Sequence, residues 1–327
     1  MNHKPRSANN AWIKLITDVV KQGTPAIRRS FSTFEILNYT SVIDMTEPMI
    51  TIEDRNLNYN FMFGEASYML HGRNDMSVCN TLKAMKRFTD NGIFFNGAYG
   101  PMIVDQLSYI IDCFSEDINT RQAVLTLWRP NPRKSKDIPC TLTMHFMLNH
   151  RDGNIYLDNF VTMRSSDAWM GWVYDVFNFS MVAAYVFNIL KSRLQSTPET
   201  HIMRLGNLYL TANNQHLYSE HVDLAASIIA KGWERFNFNK VPFIISNLAV
   251  DDTLDSFNEE LFDNHRQLST AYNQMTAEQK AQVKPKDIAY DILLEYLELY
   301  STINPAYYKS NDTRENFLDQ NKANFRF

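Results

Sequence analysis

The chain lacks a surplus of positive charge, has only three cysteines among 327 residues, and holds no long unbroken apolar run. Lysine and arginine number 32 against 36 aspartates and glutamates, a formal net charge of -4, so no global positive field gathers a nucleic-acid backbone and direct DNA binding is not expected. Local arginine clusters for a small anion are untouched by that exclusion. Cys79, Cys113 and Cys140 form an odd, widely spaced set. They fit neither a disulfide framework nor a paired-cysteine zinc site, so no metal is expected and a reduced, cytoplasmic compartment fits best. The opening MNHKPRSANN has no apolar stretch behind its basic residues, as a secretory signal would require, and runs such as residues 241–250 are too short to span a bilayer, so no membrane partner is expected. Internal repeats and low-complexity tracts are absent. What the chain does have is 45% hydrophobic and 13% aromatic content, enough for one large core or two small ones.

Periodicity predicts helices at residues 12–21, 59–70, 101–114 and 177–190, the last apolar on most sides. Extended pieces are predicted at 35–43, 49–52, 122–128 and 208–217, the last with a turn-prone Asn213-Asn214. Residues 140–148 and 155–164 read as two strands joined around Asp152-Gly153, a strong hairpin signal. Antiparallel pairing then makes Cys140 and Arg164 neighbours. Pro130, Pro132 and Pro139, with Arg133, Lys134 and Lys136, mark a basic loop ahead of Cys140. From about Asp251 the composition turns acidic with helical patterning. The expected division is a catalytic domain over 1–250 and a mainly helical extension over 251–327 packed on it.

Taken alone, the candidate site residues each admit two readings. Cys140, at a loop-to-strand boundary beside Arg164, is either a thiolate nucleophile favoured by nearby positive charge or a small buried apolar residue. Arg164 and Ser165 offer a planar fork and a hydroxyl to a phosphate. Asp167 and Asp175 are acids in aromatic surroundings, suited to a heterocycle or else a structural salt bridge and a helix cap. His216 and Tyr218 share one face of a strand, either for a sugar hydroxyl or as satisfied core residues. Glu65, the lone acid of its helix, is either a proton relay or a surface position.

TRQAVLTLWRPNP, IPC, MRSSDAWMGWVYDVFNFS and QHLYSEHVD, in that order, together resemble the thymidylate synthase and deoxynucleotide hydroxymethylase family, over about residues 12–223. The resemblance implies an α/β (α+β) fold with a large bent mixed sheet, flanking helices and a homodimer. It also implies 5,10-methylenetetrahydrofolate as co-substrate of a pyrimidine nucleoside monophosphate. By motif position, Cys140 looks like the thiol that attacks pyrimidine C6, and Arg164 and Ser165 look like phosphate ligands. Arg121 resembles the arginine given across the dimer to the partner's phosphate. Gln122 stands where the family often has a second arginine. Arg29 resembles the flexible-loop phosphate arginine, with Arg28 as alternative. Glu65 resembles the relay glutamate, Tyr99 the active-site tyrosine, Asp167 the acid that holds the pterin, and His216 and Tyr218 the pair on the deoxyribose 3′-hydroxyl.

One departure bears on the base. Thymidylate synthases have asparagine where this chain has Asp175, and an amide suits uracil N3-H and O4. A carboxyl suits the opposite edge of cytosine, so the departure resembles deoxycytidylate hydroxymethylase. Asn178, three residues on, is the alternative reader. Residues 82–92 lack the tryptophans that usually shelter the reacting carbon, and NKANFRF is unlike the family's closing C-terminus. Both lean toward water as the final reactant and a 5-hydroxymethyl product, made in a host cytoplasm if the source is viral. The other readings are deoxyuridylate hydroxymethylase, thymidylate synthase, a cytidylate (ribonucleotide) hydroxymethylase, and a noncatalytic nucleotide- or RNA-binding protein of the same fold.

Overall fold

The structure, a computed structural model, describes residues 6–232 except 51, 81, 131, 133 and 195–202. The expected apolar run at 241–250 and the acidic extension at 251–327 lie outside the described residues. Two compact units divide the described chain: residues 6–56, 102–134 and 138–232 form the first, and residues 57–101 with 135–137 the second.

The first unit is built on one mixed sheet. In chain order its elements are α1 (Ala8–Gln22), β1 (Thr24–Arg28) and β2 (Phe31–Asp44). A second helix, α2 (Tyr59–Leu70), belongs to the other unit, and α3 (Gly100–Glu116) runs almost wholly in the first. Then follow β3 (Val124–Thr126), β4 (Thr141–Arg151), β5 (Asn154–Met163), β6 (Ser166–Asp167), α4 (Trp172–Leu194), β7 (Met203–Tyr218) and α5 (Ser219–Ala230). The strand order is β1-β2-β7-β5-β4-β3, with β6 beside the end of β7. Strands β5 and β7 run parallel, and so do β6 and β7; the other pairs are antiparallel. A mixed α/β fold with a large sheet and flanking helices is what the sequence led us to expect.

Alternation sets the sheet's two faces. Along β5, Ile155, Leu157, Val161 and Met163 are buried on the helix side, while Tyr156, Phe160 and Thr162 are half-buried on the other. The helix α1 packs against α4 and α5, and all three pack against the sheet. Trp12 of α1, fully buried, donates its indole N–H to the Ala168 carbonyl at 2.8 Å and pins α1 to the segment after β6. The helix α4 begins five residues before the predicted 177–190 span and ends four after it. Its stretch Trp172–Lys191 is long and apolar enough to cross a membrane by length and composition, and 83% of it is buried inside the protein, so it serves here as a core helix.

Several sequence expectations need correcting. Met49, Ile50 and Ile52, expected in a strand, are buried loop residues, and burial alone accounts for their apolar character. Strand β1 was missed and β2 is longer than 35–43, because the turn between them uses Arg29 and Ser30 at φ 49° and 71° with no glycine or asparagine to signal it. No turn forms at Asn213-Asn214. There β7 continues, and Asn214 pairs with Leu37 across the strand. The strand predicted over 122–128 contracts to β3. By contrast, Asp152 and Gly153, at φ 49° and 74°, make the β4–β5 turn where expected.

The second unit, described by itself, contains α2 and two short 3₁₀ turns, Met76–Asn80 and Lys83–Phe88. The loop after them is held by side chains: Thr89 donates to the Phe94 carbonyl at 2.9 Å, and the Asp137 carboxylate accepts the Gly97 amide at 2.7 Å. A Cβ on Gly97 would lie 2.8 Å from the Asp137 carbonyl oxygen, so this close approach requires glycine.

Candidate active site

The ends of β4, β5 and β7 and the β1–β2 hairpin bring most of the candidate residues of the first unit together. Cys140 immediately precedes β4 and is half-exposed, not sealed in hydrocarbon. Its carbonyl accepts the Arg164 amide at 2.8 Å, next to the Thr141–Met163 pair that opens the hairpin. The Arg164 guanidinium then reaches the chain just before the thiol, with Nε donating to the Pro139 carbonyl at 2.9 Å and Nη2 to the Ile138 carbonyl at 3.1 Å. Two of its five N–H groups are spent on these bonds. The fork can thus fix the peptide leading into Cys140 and still bind an anion.

Ser165 follows, half-buried, and then β6 lies parallel to β7 with Asp167 opposite His216. The Asp167 carboxylate takes the Trp169 and Met170 amides on Oδ1 at 2.8 and 3.2 Å, a local turn rather than the salt bridge that was one sequence reading. Its remaining lone pairs suit a paired N–H donor of a pterin, and the carboxylate is part-exposed, so the residue fits a folate in chemistry.

Tyr218 ties this group to the hairpin. Its phenol is pushed up from its usual range by burial first and then by the charges of Asp167 and Cys140, with Arg29 pulling the other way. Three sequence-predicted residues, Asp167, Cys140 and Arg29, therefore lie within electrostatic reach of this one hydroxyl. Phe31, at the start of β2, meets the Tyr218 ring edge-on at 5.8 Å, and His216 meets it edge-on at 5.3 Å. The two candidate arginines of the hairpin differ in commitment. Arg28 is bound to Glu35 through Nε and Nη2 at 3.0 and 2.9 Å, whereas Arg29 is exposed at the turn.

Asp175 is the fourth residue of α4, half-buried, with its amide bonded to the Gly171 carbonyl at 3.0 Å. It lies inside the first turn rather than at the cap, where an acid also meets the positive end of the helix dipole. One carboxylate oxygen would be 3.4 Å from a Cβ on Gly171. Asn178, one turn further on, is 1% exposed within the helix packing.

Arg121 is exposed just ahead of β3, and the nearby His145 has its pKa lowered by burial, with the Arg121 backbone acting in the opposite direction. Glu65 and Tyr99 belong to the second unit. Glu65 is half-buried among Phe61, Met62, Ala66 and Met69 of α2, and Tyr99 is half-buried beyond the Asp137-bound Gly97. Sequence reasoning missed Glu35 and Asn214, which stand behind His216; Glu35 was only an acid in an apolar strand, and Asn214 was read as a turn.

Residues 10–272 match the thymidylate synthase family profile. The chain belongs to the thymidylate synthase family. This match continues past residue 250, where the catalytic domain was expected to end. Among relatives, the chain is 35% identical over 143 residues to the deoxyuridylate hydroxymethyltransferase of Pseudomonas phage M6, across 41% of this chain and 40% of that protein. It is 26% identical over 290 residues to the deoxyuridylate hydroxymethyltransferase of Bacillus phage SP01, covering 81% and 68% of the two chains. A thymidylate synthase of Vibrio cholerae serotype O1 is 27% identical over 159 residues, covering 47% and 51%. The chain thus spans less than half the length of the first of these relatives. Near the start of β4, Cys140 follows the two carbonyls held by the Arg164 guanidinium, and Asp167 lies opposite His216 where β6 runs beside β7.

Proposed function

We propose that this protein is a folate-dependent pyrimidine nucleotide 5-hydroxymethyltransferase whose substrate is deoxycytidylate. The observation that carries the base assignment is Asp175, an acid in the first turn of α4 at the motif position where thymidylate synthases hold asparagine. Family membership and the phage hydroxymethyltransferase relatives support the reaction class.

In this reading Arg164, Ser165 and Arg29 hold the phosphate, Arg121 comes from a second subunit, and His216 and Tyr218 hold the sugar. Cys140 adds to C6, because C5 of cytosine is a poor nucleophile until electron density is pushed onto the N3–N4 edge and C5. Asp175 stabilises that edge as the charge develops. Methylenetetrahydrofolate, when bound, supplies the one-carbon unit. Asp167 would hold its pterin, Glu65 is the proposed proton-relay residue and Tyr99 the proposed active-site tyrosine. After C5 gives up its proton and the folate carrier departs from the new carbon, water adds to that carbon and the Cys140–C6 bond breaks, which restores the ring and returns the thiolate. The setting proposed is the cytoplasm, of a bacterial host if the source is viral, where the three free thiols stay reduced.

The proposed homodimer has support in the sheet face away from the helices. Thr126, Thr143, Thr162, Thr211 and Thr40 are successive cross-strand partners over β3, β4, β5, β7 and β2. Beside that row His145, Phe160 and Tyr209 line up, the last two stacked at 4.6 Å. A continuous face of this kind, mostly half-buried, fits a second copy of itself.

A second reading is favoured by the printed names of both phage relatives: deoxyuridylate as substrate, with the same 5-hydroxymethyl chemistry. One experiment separates the two. Purified protein is incubated with methylenetetrahydrofolate and, separately, deoxycytidylate, deoxyuridylate, cytidylate and uridylate, and products are resolved by mass. Hydroxymethyl-deoxycytidylate alone is the expected result. Turnover of deoxyuridylate alone would overturn the base assignment, and thymidylate as product would overturn the water step too.

A further inference from the structure

Behind His216 stands a set of polar side chains whose donor and acceptor roles are fixed from one end. Glu35 on β2 lies directly across from His216 on β7, and its side chain is 5% exposed. Its carboxylate receives Arg28 Nε at 3.0 Å and Thr33 Oγ1 at 2.8 Å on Oε1, and Arg28 Nη2 at 2.9 Å and Asn214 Nδ2 at 2.8 Å on Oε2. Those four donors fill the four lone-pair sites of a carboxylate. The Arg28 guanidinium holds the group down at about 2, far below the usual carboxylate range, so Glu35 is ionised and can only accept.

An acceptor-only neighbour decides the orientation of the next amide. Asn214 must turn its NH₂ toward Glu35, and its oxygen therefore faces His216, where Oδ1 lies 3.0 Å from Nδ1. A carbonyl oxygen has no hydrogen to give, so the ring nitrogen supplies it. Neutral imidazole has a single N–H, and Nε2 is then an acceptor.

We infer that Glu35 and Asn214 are positioning residues that lock neutral His216 as the Nδ1–H tautomer, leaving Nε2 as a bare acceptor for a sugar hydroxyl of the substrate. The inference rests on the reading of His216 as a sugar-contacting residue, and it adds what that contact requires of the ligand. The sugar must bring the hydrogen. A 3′-hydroxyl satisfies the ring, while a 3′-O-methyl group leaves Nε2 without a donor. Removing the relay frees the ring to present N–H instead, the form that free histidine side chains favour in water. The strand pairing explains why two substituents on β2 and β7 suffice: Glu35 and His216 are direct cross-strand partners, and Asn214 is two residues before His216 on the same face.

The test is nuclear magnetic resonance of ring-¹⁵N-labelled histidine in the full-length, ligand-free protein, in alkaline buffer of about pH 8–9 where imidazole is neutral. The His216 signal is assigned by its loss in His216→Gln. The wild type is expected to show the Nδ1–H pattern, Asn214→Leu the Nε2–H pattern, and Glu35→Leu a mixture of the two. An Nε2–H wild type overturns the inference, and an unchanged tautomer in Glu35→Leu removes Glu35 from it. The second arm measures discrimination between deoxycytidylate and its 3′-O-methyl analogue. A preference of roughly tenfold, the scale of one hydrogen bond, is expected in the wild type and should collapse toward unity in Asn214→Leu, with the loss in KM rather than kcat. Equal affinity of the wild type for both analogues overturns the sugar role. Failure of the protein to bind either nucleotide would sink the proposed function, while the ligand-free tautomer tests the relay separately.

Discussion

At the residue scale, the proposed chemistry turns on two side chains, one just before a strand and one in the first turn of a helix. Cys140 has a half-exposed position and an arginine fork on the two carbonyls before it, so its backbone is held while its side chain stays reachable. Cys140→Ser keeps that backbone and removes the thiolate. Turnover should fall by at least about 10⁴-fold, while deoxycytidylate affinity, measured by calorimetry, stays within about threefold. Asp175 poses a question of hydrogen-bond polarity instead. Asp175→Asn exchanges a carboxyl for an amide of the same shape, and a mismatched buried polar contact costs about 1–3 kcal/mol. The ratio of kcat/KM for deoxycytidylate over deoxyuridylate should therefore fall by roughly one to two orders of magnitude in this variant. An unchanged ratio would show that Asp175 does not read the base and would turn attention to Asn178.

At the scale of elements, two local devices hold the sheet in the register that the site needs. Between the Leu157–Leu205 and Asn159–Leu208 pairs, Gly206 and Asn207 face the single residue Asp158, forming a β-bulge. Asp158 is 1% exposed and is satisfied by Arg151 Nη1 and Nη2 at 2.8 and 2.9 Å, Asn149 Nδ2 at 2.8 Å and the Asn207 amide at 2.7 Å. A Cβ on Gly206 would collide with the Asp158 carboxylate and approach the Leu157 carbonyl oxygen at 2.8 Å. Gly206→Ala should thus disturb a buried ion pair and destabilise the protein by about 3 kcal/mol, read as a lowered midpoint in chemical denaturation. The second device is Glu35. Its pKa falls from 4.5 to about 2 on folding, chiefly through the Arg28 hydrogen bonds, so its contribution is complete above about pH 4.5 and lost as pH drops toward 2. The stability gap between wild type and Glu35→Gln, followed by denaturation at a series of pH values, should close over that window. A gap independent of pH would contradict an ionised Glu35.

These devices also show what the sequence could and could not reveal. The β4–β5 hairpin was legible because Asp152-Gly153 supplies residues that tolerate positive φ, and the adjacency of Cys140 and Arg164 followed from it. The β1–β2 turn was not, since Arg29 and Ser30 adopt the same kind of conformation without the usual residue types. Asn214 misled for a related reason. Its preference for turns is local, whereas its actual role is a long-range bond to Glu35, 179 positions away. The buried loop at Met49, Ile50 and Ile52 reads as a strand because burial, not extension, selects those side chains. Motif order supplied the candidate residues; the bonds that orient them come from pairings no single window contains.

At the scale of the whole molecule, the sheet face with its threonine row raises the question of a partner. Alternation puts Thr126, Thr143, Thr162, Thr211 and Thr40 on the side opposite the helices, and the Thr40 and Thr211 hydroxyls are bonded at 2.9 Å. His145 belongs to the same face and pairs with Val124, three residues after the exposed Arg121, so the Arg121 side chain starts from the border of that face. If a second copy docks there, each active site borrows an arginine, and two different inactive subunits can repair each other. A Cys140→Ser subunit still donates Arg121, and an Arg121→Ala subunit still offers Cys140. Mixing the two in equal amounts after brief denaturation and refolding puts half of the chains' dimers in the mixed form, each with one complete site. Activity should return to about one-quarter of the wild-type level, although either variant alone is nearly inactive. Thr162→Arg, which sets a charge in the middle of the row, should abolish this rescue and give a monomer in sedimentation analysis. Restoration that fails in a proven mixed dimer would mean that Arg121 serves its own chain, and wild-type activity of Arg121→Ala alone would remove Arg121 from the phosphate site altogether.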